Sequence, residues 1–71
     1  MSHYIVAVSC PIDGAIAEGY SSYRDHAGNY EFTAELAHAG CWYCFEIAER
    51  IARWWSVRGW AAEVQSVSRV K

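Results

Sequence analysis

The chain has 71 residues, 54% of them hydrophobic and 15% aromatic, and its formal net charge is −2. A domain this short buries only about 60% of the surface that its unfolded chain exposes, so its thin core depends on large aromatic side chains. No apolar run approaches the roughly 20 residues that cross a bilayer, and three cysteines, an odd number, argue against a secreted disulfide framework. We therefore expect one compact, soluble domain over residues 1–71, located in the cytoplasm.

The first half of the chain predicts three strands. Residues 3–10 are rich in β-branched and aromatic side chains and lead into the turn sequence Pro11-Ile12-Asp13-Gly14. Residues 15–24 predict a second, weaker strand, and residues 25–29 predict a hairpin loop. Residues 30–36 alternate between apolar and polar side chains, which indicates a third strand with one side toward the core and one toward water.

The second half of the chain predicts a helix and a last strand. Eight small or apolar residues fall on one side of a helical wheel and predict a stripe that faces the core: Ala37, Gly40, Cys41, Cys44, Ile47, Ala48, Ile51 and Trp55. Residues 39–58 therefore predict a helix that Gly59 ends. Residues 60–70 contain a strand with Val64 facing the core. The order is therefore β-β-β-α-β, an α+β fold in which one helix packs on one face of a four-stranded, mostly antiparallel sheet.

A single helix leaves the second face of this sheet uncovered, and strand alternation predicts its side chains. They are Ile5, Ala7, Ile16, Glu18, Tyr20, Glu31, Thr33, Glu35, Glu63, Gln65 and Val67. Carboxylates mixed with a tyrosine and aliphatic groups suit contact with another protein or association as a homodimer. We predict that Glu18, Tyr20, Glu31 and Glu35 contact a partner; the alternative is a solvated face without a function.

Charge is sorted along the chain. Seven of the eight carboxylates precede residue 50, and five of the six bases lie at or after it. Glu46 and Glu49 stand four residues before Arg50 and Arg53, a spacing at which opposite charges pair along a helix, so this part of the asymmetry requires no partner. The predicted helix also places Trp42 on its outer side. We add Trp42 to the predicted contact residues because tryptophan is enriched at binding hot spots.

A nucleic-acid-binding domain is one alternative function. Basic residues beside aromatic ones can bind phosphate and stack bases, and the candidates here are Arg50, Arg53, Arg58, Arg69 and Lys71. We do not expect direct nucleic-acid binding, since the net charge is negative and two of these bases have carboxylates at pairing distance along the predicted helix.

A thiol or zinc protein is another alternative. Cys41 and Cys44 have the spacing of the thioredoxin and glutaredoxin dithiol, and His38 precedes them at metal-ligand spacing. The chain lacks the βαβ arrangement and the cis-proline candidate of that family, and a second pair of zinc ligands is missing. No nucleophile turn, phosphate loop or catalytic carboxylate pair is present either. We therefore expect no enzyme activity, no cofactor and no metal.

The format of the chain resembles the small phage-borne anti-CRISPR proteins. The features that carry the resemblance are the length, the sheet-plus-helix order ending in Trp60-Ala61-Ala62-Glu63-Val64, and the carboxylates of Glu18, Glu31 and Glu35. These proteins share no motif, so no residue role is carried over. The resemblance implies a non-enzymatic inhibitor in a host cell that occludes the basic, nucleic-acid-binding surface of a CRISPR effector complex.

Overall fold

The computed structural model describes residues 2–68, which form one antiparallel sheet and one α-helix. The strands are β1 (Ser2–Ile12), β2 (Ala15–Ser21), β3 (Phe32–Thr33) and β4 (Ala61–Ser68), and the helix α1 spans Phe45–Val57. The strand order is β3-β2-β1-β4, so the last strand pairs with the first. This confirms the predicted α+β class and the β-β-β-α-β order. No helix within residues 2–68 is long and apolar enough to cross a membrane.

A two-residue turn sets the register of the first two strands. Asp13 and Gly14 have φ angles of 51° and 80°, as a type I′ turn requires, and this turn matches the twist of the strands that it joins. The resulting register places Ala7 opposite Tyr20 and Val8 opposite Gly19. Successive side chains point to opposite faces, so Val8 faces the helix while Ala7 and Tyr20 face away from it.

The helix begins at Phe45, and its predicted start at residue 39 is wrong. The preceding segment is extended: Trp42 and Tyr4 exchange two backbone hydrogen bonds of 2.7 and 2.9 Å as an isolated antiparallel bridge. Since β2 ends at Ser21, this stretch of β1 would otherwise have unpaired backbone groups on that side. The end of the helix agrees with the prediction, because Gly59 follows with a φ of 92°.

The predicted third strand is shortened to two residues. It covers Phe32–Thr33 only, and Leu36–His38 forms a 3₁₀ turn. The hydroxyl oxygen of Thr33 accepts a hydrogen bond of 3.2 Å from the Glu35 N–H. This local bond offers the backbone an alternative to the strand ladder, so alternation at residues 34–36 does not produce a longer strand.

The core lies between the sheet and α1. Val6, Val8, Ala48, Ile51 and Trp55 are buried together. Aromatic rings surround these residues. The Trp55 ring makes edge-on contacts with Trp60 and Trp54, at centroid distances of 5.0 and 5.3 Å. The helix stripe is thus confirmed at Ala48, Ile51 and Trp55. The stripe is wrong at Ile47 and Cys44, which are exposed. Ile47 borders a surface cleft, and Cys44 is the N-cap residue of the shortened helix.

Candidate partner-binding face

The sheet face opposite α1 is covered at one end. His3 and Ile5 are only 5% and 4% exposed, although they point away from the helix. The Tyr43 ring meets the His3 ring edge-on at 4.8 Å, and Leu36 borders the pocket of about 480 Å³ that adjoins both buried residues. The expectation of a fully uncovered face is therefore wrong here. The residues predicted to begin the helix instead lie against this end of the sheet.

The other end of this face is an open trough of about 300 Å³. Ala7, Ser9 and Ala61 line it, while Glu18 and Glu63 flank it on β2 and β4. The hollow lies over short side chains: Ala7 is between Tyr20 and Glu63, and Ser9 is between Glu18 and the equally short Ala61. Two strand spacings separate the glutamate backbones by roughly 10 Å across the sheet. Along the strands the two residues are offset, since Glu18 pairs with Ser9 and Glu63 pairs with Ala7. The two glutamates thus flank a neutral floor diagonally; we call this region the acidic trough.

Two of the predicted contact residues lie at the acidic trough or next to it. Glu18 borders it directly, and Tyr20 lies beside Ala7 on the same face, with Thr33 on its other side. Glu63 was predicted on this face but not among the contact residues. Its proximity to Glu18 depends on the pairing of β4 with β1, and no local signal in the sequence indicates which strand β4 joins.

Glu31 and Glu35 lie at the outer edge of the sheet, away from the acidic trough. The Glu31 N–H donates a 2.9 Å hydrogen bond to the Ser22 hydroxyl oxygen just before β3. The Glu35 carboxylate lies 3.3 Å from Nδ1 of His38, and both side chains are about 70% exposed. Glu31 and Glu35 are both exposed, and neither borders the acidic trough.

Trp42 occupies a different position from the one predicted. It precedes α1 instead of lying on the outer side of the helix, and it packs half-buried against the core. Cross-strand neighbours point to the same side of a sheet, so Trp42 lies with Tyr4 on the helix side. The Tyr23 ring contacts it edge-on at 5.6 Å. A contact role for Trp42 would thus use a surface other than the acidic trough.

The cysteines do not form the predicted stripe on one helix. Cys41 precedes the helix and borders the pocket beside His3, whereas Cys44 is the exposed N-cap residue of α1. All three cysteines are free thiols. Within residues 2–68, no three histidine, cysteine or acidic side chains converge in a way that could hold a metal ion.

The predicted ion pairs along the helix are not formed. In the described part of the chain, the one ion pair within 4 Å is that between Glu35 and His38. Arg58 instead lies 3.7 Å from the Trp54 ring centroid and donates a 3.0 Å hydrogen bond to the Trp54 carbonyl oxygen. Arg69 and Lys71, named above as candidate nucleic-acid ligands, lie outside the described residues. The four described arginines belong to α1, its C-cap and the loop after β2, and none borders the acidic trough.

Comparisons with known proteins do not assign this chain to a family. The chain matches no protein-family model, no curated protein and no solved structure.

Proposed function

We propose that the chain is a non-enzymatic protein-binding module whose acidic trough contacts a basic surface of a partner. The observation that supports this is the pair Glu18 and Glu63, which flank an uncovered hollow that no described arginine, lysine or histidine borders. Tyr20 and small apolar groups beside them supply the contact area that charges alone lack. Arginine or lysine side chains of a partner that enter the trough would meet carboxylates of opposite charge. This attraction would also raise the rate at which the two proteins associate.

The partner that we propose is a CRISPR effector complex in the cytoplasm of a bacterial host, with the chain as a phage-encoded, anti-CRISPR-like inhibitor. Two points support this choice: the resemblance in format to those inhibitors, and two further exposed carboxylates, Glu31 and Glu35, near β3 at the edge of the sheet. Carboxylates compete for the arginines and lysines that otherwise bind the phosphates of target DNA. Occupation of that basic surface would prevent DNA binding without any catalysis.

A second copy of the chain is a less favourable occupant of the same face. A two-fold symmetric dimer places the same patch of both copies in contact. Glu18 and Glu63 of one copy would then face the same carboxylates of the other. Like charges in an interface cost free energy, so we favour a basic partner over a homodimer.

Displacement of DNA from purified effector complexes tests this proposal. We expect the wild-type chain to lower the binding of a fluorescent target duplex. The double variant Glu18→Lys/Glu63→Lys should weaken inhibition on the order of 100-fold, since disrupting buried charge pairs costs about 2–5 kcal/mol. Glu31→Lys/Glu35→Lys should have a smaller effect, because those side chains lie at the sheet edge.

The matched control is Glu46→Lys/Glu49→Lys, which makes the same change of charge on α1. Equal loss of inhibition in this control would mean that net charge matters and the acidic trough does not. Full inhibition by the trough variant would contradict the proposed binding face. Unaltered DNA binding by effector complexes of every type tested would contradict the proposed partner.

A further inference from the structure

A second concave surface lies where α1 approaches the loop between β2 and β3. This cleft of about 490 Å³ is lined by Tyr23, Arg24, Tyr30, Trp42, Ile47, Arg50 and Ile51. Ile51 is buried at its base, Tyr30 and Trp42 are half-buried in its walls, and the two arginines are exposed at its rim. Three aromatic rings and two guanidinium groups therefore converge from segments that are far apart in the sequence; we call this site the aromatic cleft.

Contacts within the protein hold the walls of the aromatic cleft in place. The Trp42 backbone is fixed by its bridge to Tyr4, and the Tyr30 ring packs edge-on against Trp54 at 5.2 Å. The loop that carries Arg24 is closed by an Asx turn, in which Oδ1 of Asp25 accepts two backbone hydrogen bonds of 2.9 Å. A ligand would thus meet walls that are already ordered, which lowers the entropic cost of binding.

The arginines of the cleft are available to a ligand. Neither Arg24 nor Arg50 has a carboxylate within 4 Å in the described part of the chain, and Glu46 does not border the cleft. The expectation against nucleic-acid binding rested on the negative net charge and on an Arg50 paired along the helix. The second ground does not hold, because that pair is not formed.

The helix continues this basic and aromatic surface beyond the cleft. Arg50, Trp54 and Arg58 are spaced four residues apart, so they follow one edge of α1 to its C-cap. The rise of a helix places Arg50 and Arg58 about 12 Å apart along its axis. Stacked nucleotides of one strand rise about 3.4 Å each, so this span corresponds to about three to four nucleotide steps.

We propose that the aromatic cleft and this helix edge bind single-stranded nucleic acid. Arg24, Arg50 and Arg58 would contact phosphates, and a base would stack on Tyr23, whose side chain is exposed at the cleft. Stacking on aromatic rings requires unpaired bases, which a duplex does not offer. An acidic protein segment would satisfy the arginines but would leave the ring of Tyr23 without a stacking partner. This site is separate from the acidic trough and does not depend on the function proposed for it.

Fluorescence anisotropy with labelled (dT)12 and (rU)12 tests the proposal. We expect micromolar binding at low salt, quenching of tryptophan fluorescence, and a slope of log K against log salt of about −2, since each phosphate contact to a single strand contributes about −0.7. Arg24→Gln and Arg50→Gln should each reduce the magnitude of the slope by about 0.7. Tyr23→Leu should lower affinity at least about 5-fold with an unaltered slope, because base stacking does not release ions.

Arg53→Gln is the matched control, because Arg53 lies on the same helix but borders a different groove with Glu49 and Glu63. It removes the same charge and should leave both affinity and slope nearly unchanged. An effect of Arg53→Gln as large as that of Arg50→Gln overturns the proposal. So does the absence of binding at low salt, or equal affinity for a DNA duplex, for the mononucleotide dTMP or for poly-glutamate.

Discussion

The two faces of the sheet use neighbouring residues of the same strands in different ways. On the helix side, Val6 and Val8 are almost completely buried and pack with Ile51. On the other side, Ala7 and Ser9 line a trough between carboxylates. Apolar burial is the main favourable term in folding. Most of it lies under α1, and the buried Ile5 at the covered end is the exception on the opposite face. The opposite face can therefore carry unpaired acids with little loss of stability, which leaves those acids available for binding.

The largest expected difference between the faces concerns the loss of an isoleucine side chain. Ile51→Ala should lower the free energy of unfolding by about 2–5 kcal/mol, because it opens a cavity in the core. The matched variant Ile16→Ala changes a residue on the other face that is 65% exposed, and it should alter stability by no more than about 0.5 kcal/mol. Urea unfolding followed by tryptophan fluorescence measures both. Equal losses would mean that the two faces share the stabilising burial.

The next effect concerns Gly19, which lies on the helix side of β2 next to β3. A Cβ atom here would meet the Thr33 carbonyl oxygen and lie within 2.7 Å of the Phe32 ring. Gly19→Ala should therefore displace β3 and lower stability by about 1–3 kcal/mol. Faster hydrogen exchange of the Ser22 N–H, which donates to the Glu31 carbonyl oxygen at 2.8 Å, would locate the change at this edge.

A second variant separates the two contacts that the Cβ atom of an alanine at position 19 would make. Phe32→Leu combined with Gly19→Ala removes the ring but leaves the carbonyl contact in place. Because Phe32→Leu alone also removes the contact of the ring with Trp60, we expect Gly19→Ala to lower stability less in the Phe32→Leu background than in wild type. A Gly19→Ala protein as stable as wild type, with unaltered exchange, would show that β3 can move aside at no cost.

A stabilising effect is expected at the covered end of the opposite face. Both ring nitrogens of buried His3 lack a hydrogen-bond partner among the described residues. An unsatisfied buried polar group costs about 1–3 kcal/mol, so His3→Phe should raise the free energy of unfolding by about 1 kcal/mol while keeping an edge-on contact with Tyr43. His26→Phe in the exposed loop is the control and should leave stability unaltered. A less stable His3→Phe protein would indicate that the imidazole is needed there.

The smallest effect concerns the ion pair between Glu35 and His38. Both side chains are about 70% exposed, and surface pairs of this kind contribute at most about 1 kcal/mol. His38→Gln should therefore alter thermal stability very little, and Ala37→Ser in the same exposed turn serves as a comparison. A large loss would show that this turn stabilises the cover over His3.

The faces of the strands could be predicted from the sequence, but their lengths and neighbours could not. Alternation placed Glu18, Tyr20 and Val64 on the correct sides, because the two-residue period holds within any strand. It failed after Thr33, where the threonine hydroxyl binds the Glu35 N–H and ends the strand. Helical periodicity failed at Trp42 for a related reason, since its backbone bonds to Tyr4 in a distant part of the chain.

The sequence by itself determined the order of the elements, the turn at Asp13 and Gly14, the end of the helix near Gly59 and the faces of the strands. These depend on steric preferences and periodicities that act over a few residues. Only the tertiary structure decided that Glu63 lies across β1 from Glu18, and that Arg24 and Arg50 meet at one cleft. Both arrangements depend on strand order and on hydrogen bonds between distant segments, which local patterns do not encode.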